Sequence, residues 1–400
     1  MVRSIMTVSS PTSTSTGSED DPDESSGQLS NDIFLSHRPM AVLSDHIGSV
    51  SCVALCGEFI LSASQSKDII VWQQPVLRRF TKFGNGEGLV KAIVAVGNQL
   101  FTAHQDCKIR VWKVSTKSKN NFRLSSILPT TKDYYLAKFI NKTNYVRTRQ
   151  RHYHHHYQTH KLWIEHTDSI SCLLVHDGML YSGSWDKTFK VWRISDLKCM
   201  ESIKAHDDVI NGLVVDSFGV LYSASADGLI KLWEKHSNGC HTLKGELMCG
   251  SGNGHSKEMA WNCVVINGGY VYGGSSDGFV MGWNIMERGD EMGLACDVKA
   301  HDKAVLCMCS IADVVCCGSV DSTISVWKRG TGCGLLKKIG VIGGHEGPVK
   351  CLEGTCSSRG GNGWFVLYSG GLDKSLRVWW VAVGDRPIKS RAPLALLCSF

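Results

Sequence analysis

Four hundred residues with 43% hydrophobic content, and 41 glycines against 8 prolines, supply a large buried core and many tight turns. No run of about 18 apolar residues is present, and no apolar stretch of about 7–15 residues follows Met1. Neither a membrane-spanning helix nor a secretory leader is therefore expected, and the 17 cysteines are expected to be reduced strand residues of a cytoplasmic or nuclear protein. The formal charge of +6 belongs to one segment: residues 115–161 hold ten Lys or Arg and one acid, which leaves the remainder slightly acidic.

Residues 1–36 are Ser/Thr-rich, with an acidic run from Glu19 to Glu24 and almost no apolar periodicity. Such a segment cannot bury enough surface to offset chain entropy and is expected to be a disordered tail. Across residues 37–383 one frame recurs: an Asp, a Trp six residues later, and a small residue four before the Asp. It fits Thr102/Asp106/Trp112, Ser182/Asp186/Trp192, Ser223/Asp227/Trp233, Gly273/Asp277/Trp283, Cys317/Asp321/Trp327 and Ser369/Asp373/Trp379, with Ser62/Ser66/Trp72 as a seventh copy whose Asp slot holds Ser. About twenty residues before the Asp stands a histidine: His46, His166, His206, His301, His345 and, loosely, His255. The second copy has none.

A period of roughly 40 residues with His near the front and Trp at the end is the mark of one four-stranded propeller blade. The physical reason is a closed chain of buried partners, in which the Asp carboxylate holds the imidazole and the small hydroxyl joins imidazole to indole. Complete sets are expected in the third, fourth and seventh copies: His166, Ser182, Asp186 and Trp192; His206, Ser223, Asp227 and Trp233; His345, Ser369, Asp373 and Trp379. Ala41–Leu43, ahead of the first His loop, is expected to pair with the last blade and lock the ring, because closure removes exposed sheet edges. The predicted fold is therefore all-β, a single seven-bladed propeller over 37–383, followed by a C-terminal tail, 384–400.

Trp112 and His166 are 54 residues apart where a regular copy needs roughly 15. The excess, with residues 115–161 as a basic insertion, contains no Asp-x5-Trp frame and no hairpin signal, so an eighth blade is rejected. It is expected to be a long connection with a short helix near Tyr134–Ile140. It would enter an outer strand at Leu162–Ile164 and project from the face opposite the His and Asp turns. Smaller insertions fall at 248–259 and 357–363.

The stretch HKLWIEHTDSISCLLVHDGMLYSGSWDKTFKVWRISDLKCMESIKAHDDVINGLVV, residues 160–215, together with the repeat frame, resembles WD40 proteins of the plant JINGUBANG-like group. The resemblance implies a non-enzymatic scaffold or regulator that acts through protein partners in plant development. It also implies that partner contacts come from the residue before each Asp and from those three and five after each His. By position these include Leu89 and Lys91, Trp185, Val209, Met259 and Trp261, Val320, Leu306, Pro348 with Lys350, and Leu372. That surface is short of charge and carries two indoles, the composition of a protein-binding hot spot. Trp-Asp-x-Arg, the mark of cullin-ligase receptors of this fold, is absent.

Three motifs have the composition of a chemical site, and each has a simpler reading. Ser182, His166 and Asp186 have the composition of a hydrolase triad, but the set repeats around the ring and lies behind a Trp. Gly250-x-Gly252-x-Gly254 lacks the Gly-Lys-Ser/Thr and helix of a phosphate loop. The cluster His152, His154, His155, His156 and His160 is read as adventitious, so no metal, cofactor or catalytic residue is expected. Arg147, Arg149, Arg151 and Lys161, interleaved with Tyr145, Tyr153 and Tyr157, form a basic arm for an acidic protein segment or, alternatively, for RNA or DNA. A monomer with no membrane association completes the expectation.

Overall fold

The structure, a computed structural model, describes residues 33–84, 88–115, 121–133, 145–148, 159–248, 259–285, 292–356 and 363–384. The opening tail, the segment 385–400, Tyr134–Ile140, the 250–254 glycines, His255, Arg149, Arg151 and His152–His156 lie outside them.

Seven four-stranded antiparallel sheets stand in ring order among the described residues. Strand β1 spans Phe34–Leu43. Blade one is β2 (Val50–Cys56), β3 (Phe59–Ser64), β4 (Ile69–Gln73) and β5 (Arg78–Phe83), and blade two is β6 (Val90–Val96), β7 (Gln99–His104), β8 (Ile109–Val114) and β9 (Phe122–Leu128). A separate hairpin, β10 (Tyr145–Thr148) with β11 (Thr159–Leu162), precedes blade three: β12 (Ile170–His176), β13 (Met179–Ser184), β14 (Thr188–Arg193) and β15 (Lys198–Lys204). Blade four is β16 (Ile210–Val215), β17 (Leu221–Ser225), β18 (Ile230–Lys235) and β19 (His241–Leu247), and blade five is β20 (Trp261–Asn267), β21 (Tyr270–Ser275), β22 (Phe279–Asn284) and β23 (Leu294–Lys299). Blade six is β24 (Val305–Ile311), β25 (Val314–Ser319), β26 (Ile324–Arg329) and β27 (Leu336–Ile342), and blade seven is β28 (Val349–Cys356), β29 (Trp364–Gly371) and β30 (Leu376–Gly384).

The fourth strand of blade seven is β1, antiparallel to β30 from Phe34 opposite Gly384 to Leu43 opposite Leu376. The ring is thus closed by β1, and the edge that β30 would otherwise expose is paired. Arg38 stacks its guanidinium 5.0 Å from the Trp380 ring across this seam.

There is no single central core. Seven apolar wedges lie one between each pair of neighbouring blades, such as Leu100, Trp112 and Val71 between blades one and two, and Leu367, Val381 and Ile342 between six and seven. Alternation along each strand serves both faces, because each sheet is covered on both sides by its neighbours. At roughly 1.5–3 kcal/mol for each fully buried aliphatic or aromatic side chain, every wedge depends on the presence of the next blade.

The insertion departs from expectation in a way that matters for function. Blade two's outer strand is not Leu162–Ile164 but β9, which pairs antiparallel with β8. Leu128 lies opposite Ile109, just after the Asp106 turn, so the chain leaves β9 at the same end of the blade as the Asp turns. It returns to β12 at that end as well. The basic insertion therefore rises from the face bearing the His and Asp turns, not from the opposite one. It also begins after β9, at Pro129, and contains a hairpin, which its composition did not signal. A helical turn occupies 131–133, just ahead of the expected helix. Leu162 and Ile164 are buried between blades two and three, and the Lys190 ammonium donates to the Trp163 carbonyl at 2.7 Å, which fixes the root of the arm to blade three.

Candidate partner-binding site

The Asp turns set the geometry. In blade three, Trp192 Nε1 donates to Ser182 Oγ at 3.0 Å, Ser182 Oγ lies 2.8 Å from His166 Nε2, and His166 Nδ1 lies 2.9 Å from Asp186 Oδ2. One proton arrangement satisfies all three: the hydroxyl accepts from the indole and donates to Nε2, and Nδ1–H donates to the carboxylate. Burial lowers the His166 pKa and so favours this neutral ring. Burial alone would raise the Asp186 carboxyl, but hydrogen bonds from His166, Thr188 and the Thr167 amide outweigh it and hold the pKa well below the ordinary value. The same carboxylate accepts the Thr188 amide at 2.9 Å and steadies a turn in which Lys187 takes the left-handed φ of 72°. Blades four and seven repeat the set through His206, Ser223, Asp227 and Trp233 and through His345, Ser369, Asp373 and Trp379. In blade four the balance of the same forces brings the Asp227 carboxyl down to about 2. Ser182 is fully buried, so its hydroxyl is a structural bridge and not an exposed nucleophile.

Each network fixes a tight turn and the strand beside it, and together they shape the mouth of the channel. The inner strands β2, β6, β12, β16, β20, β24 and β28 meet one another around the ring. Each carries a bulge near its start, at Ser51, Lys91, Ser171, Asn211, Asn262, Leu306 and Lys350. The bulge turns these side chains toward the neighbouring blade: Ser51 Oγ donates to the Val90 carbonyl at 2.8 Å, Asn211 Nδ2 to that of Trp261 at 2.9 Å, and Asn262 Nδ2 to that of Val305 at 2.8 Å. Beside each bulge, the amide of the residue before the Asp turn bonds the inner strand's approach. The pairs are Gln65 to Ser49, Gln105 to Leu89, Trp185 to Ser169, Ala226 to Val209, Ser276 to Ala260, Val320 to Ala304 and Leu372 to Pro348.

This register places Leu89, Lys91, Val209, Leu306, Val320, Pro348, Lys350 and Leu372 at equivalent mouth positions, with Trp185 42% and Leu372 41% exposed. Blade five corrects the expectation by one residue. Its mouth positions are Ala260 and Asn262, while Met259 is buried and Trp261 is 0% exposed, in the core slot that Val50, Val90, Ile170, Ile210, Val305 and Val349 fill elsewhere. A one-residue slip sends a side chain to the opposite face of a strand. The Trp261 indole donates to the Gly228 carbonyl at 2.9 Å and packs edge-on against Trp283. It fits because Gly273 replaces the hydroxyl residue there: a Cβ on Gly273 would come within 2.8 Å of the indole. Of the basic arm, Arg147 pairs His160 and Lys161 pairs Val146 along the β10–β11 backbone.

Sequence comparison agrees with this geometry. A family model described as "WD domain, G-beta repeat" matches residues 37–73, 157–193, 197–234 and 336–379. These segments of the chain carry the WD40 repeat. The chain is similar to an uncharacterized WD repeat-containing protein of Schizosaccharomyces pombe, 23% identical over 239 residues, covering 57% of this chain and 60% of that one. It is also similar to the human kinesin-like protein KIF21B, 30% identical over 128 residues, 32% of this chain and 7% of that protein. A p21-activated protein kinase-interacting protein 1-like protein of Danio rerio is 34% identical over 90 residues, 21% of this chain and 24% of that one. The chain thus spans less than two thirds of the length of each of these relatives. Among solved structures, the computationally designed Ika8 protein superposes with a TM-score of 0.55 at 20% identity, over 86% of this chain and 99% of that one, a likeness of fold alone.

The networks of blades two and six are rebuilt from positions that the repeat frame does not mark. In blade two the imidazole comes from β7: His104 Nε2 lies 2.8 Å from Thr102 Oγ1, which accepts from Trp112 Nε1 at 3.0 Å. The freed Asp106 pairs with the buried Arg110 at 2.6 Å instead. Burial, with Arg110 adding to it, pushes the His104 pKa down to about 4. In blade six Cys317 brings no hydroxyl, and Ser325 on the next strand supplies it, 2.8 Å from both His301 Nε2 and Trp327 Nε1. His104 was visible in the sequence as a His two before the Asp where five of the six other copies carry Ser, and Ser325 as a Ser two before the Trp. Blade one keeps His46, Ser62 and Trp72, while Ser66 turns to Ser64.

Proposed function

We propose that this WD40 propeller is a non-enzymatic scaffold that holds protein partners on the face of the His and Asp turns. WD40 propellers typically serve as protein-interaction scaffolds, and the name of the zebrafish relative marks that protein as kinase-interacting. The observation that carries the reading is Trp185, a rigid indole 42% exposed at the mouth, with the Lys91 ammonium 5.5 Å from its ring centroid. An exposed aromatic on a scaffold fixed by buried networks has the makings of an interface anchor. The insertion rises from the same face, so mouth and arm can engage one partner together. The resemblance to the JINGUBANG-like group supports the finer reading, a regulator in a plant developmental complex of the cytoplasm or nucleus.

Affinity capture from plant extract with wild type and Trp185→Ala tests the reading. The variant is expected to melt as wild type does and to lose most of its partners. A full set of partners on Trp185→Ala overturns the reading.

A further inference from the structure

The mouth is not uniform around the ring. Blades seven, one, two and three carry Lys350, Leu372, Ile47, Lys91 and Trp185, and Ile47, 78% exposed in the loop leading to β2, joins Leu372 and Trp185 as an exposed apolar residue of that sector. Blades four to six place Ala226, Ser276, Val320, Asn211, Asn262 and Leu306 at the matching positions, and none of these is charged.

The two lysines occupy the bulges of β6 and β28, on either side of the uncharged Ser51 bulge of β2. Of the bulge positions and the paired positions beside them, only these two are charged. Neither has a carboxylate within ion-pair distance among the described residues. Burial and the nearby Lys350 charge both lower the Lys91 pKa, so the pair is a repulsive contact that an anion would relieve. The acids of the same sector are engaged elsewhere: Asp45 with Arg79, Asp68 with Lys82, Asp106 with Arg110, and Asp373 with His345. Among the described residues, Asp168 and Glu346 are the other exposed acids of these loops, and neither occupies a mouth position. Beyond Trp185, blades two and three are bridged by the arm, whose residues 129–161 hold seven Lys or Arg and one acid.

Resting on the scaffold reading above, we infer that the sector of blades seven to three is the docking site for an acidic protein segment. Its Asp or Glu side chains would meet Lys91 and Lys350, and its apolar residues would lie on Trp185 and Leu372. Carboxylate is favoured over phosphate because no arginine stands at the mouth positions among the described residues, and phosphopeptide sites are built from Arg clusters. Apolar anchors beside the charges favour a peptide over a nucleic acid strand, which needs a continuous run of phosphate contacts and several stacking platforms.

The probe is a short fluorescein-labelled peptide of glutamates and leucines, titrated against the full chain by anisotropy. Parallel arms use its phosphoserine/leucine counterpart, a lysine/leucine peptide and single-stranded oligo-dT. Binding of the glutamate peptide that weakens with salt, and that falls about tenfold or more in Lys91→Ala/Lys350→Ala, is expected. Binding that the double variant leaves unchanged, tighter binding of the phosphopeptide, or preferential binding of oligo-dT each overturns the inference. So does loss of peptide binding only on replacing residues 134–158 by a short Gly/Ser linker, which would assign the charge recognition to the arm alone. The lysine variant leaves Trp185 in place. Partners that survive it but not Trp185→Ala would therefore reject the acidic segment while sparing the scaffold reading.

Discussion

Trp185 and Trp261 were grouped as twin anchors by sequence, and their environments are opposite. Trp261 is enclosed by Ile230, Gly273 and Trp283, so Trp261→Ala should cost about 3–5 kcal/mol as a core cavity. Trp185→Ala should cost less than about 1 kcal/mol as a surface truncation. Denaturant midpoints of the two single variants separate them, and equal losses would contradict the register assigned to blade five. That register was hidden because blade five lacks both the hydroxyl and a regular His loop, so the strand had to be counted from irregular neighbours. A slip of one residue then exchanged core for mouth. Glu353 offers a second test at this scale. Its carboxyl sits on β28 opposite Tyr368 with the Gly354 amide as its close donor, and burial raises its pKa to about 6. A carboxyl raised in the folded state contributes stability at pH values below its unfolded pKa, and that contribution is lost as pH rises through 6. Glu353→Gln should therefore melt near wild type at pH 4.5 and above it at pH 7.5, by the equivalent of about 1–2 kcal/mol. A difference independent of pH would contradict the assignment.

Among the elements, β1 has a role out of proportion to its length. It supplies the outer edge of blade seven, and without it β30 presents unpaired backbone along Leu376–Gly384. A chain that starts after Leu43 should lose its sharp melting transition and tend to aggregate. An unchanged cooperative melt would show that closure does not depend on this strand. The pairing was legible because Ala41–Leu43 had no blade of its own. The insertion was not legible in the same way. The Asp and Trp positions fix where the second and third strands run, but blade two's outer strand is set by β9, FRLSSIL, which alternates well enough once its partner β8 is known. The reading that favoured Leu162–Ile164 used proximity to His166, and it inverted the face on which the arm emerges.

For the molecule as a whole, buried networks turn a repetitive chain into a rigid ring, and the variation between blades is where individuality resides. Among the described residues, histidine, hydroxyl and indole stay together in every blade but the fifth even when their positions move, as His104 and Ser325 show, because an unpaired buried polar atom costs more than a change of address. The mouth has no such constraint, and there blades seven to three diverge from blades four to six. The central claim is that partners are held on this face. A photo-crosslinking residue placed at Leu372, 41% exposed at the mouth, should trap partners from extract. The same residue at Phe218, 56% exposed in the loop between β16 and β17 on the opposite face, should not. Adducts from Phe218 with none from Leu372 would contradict the account.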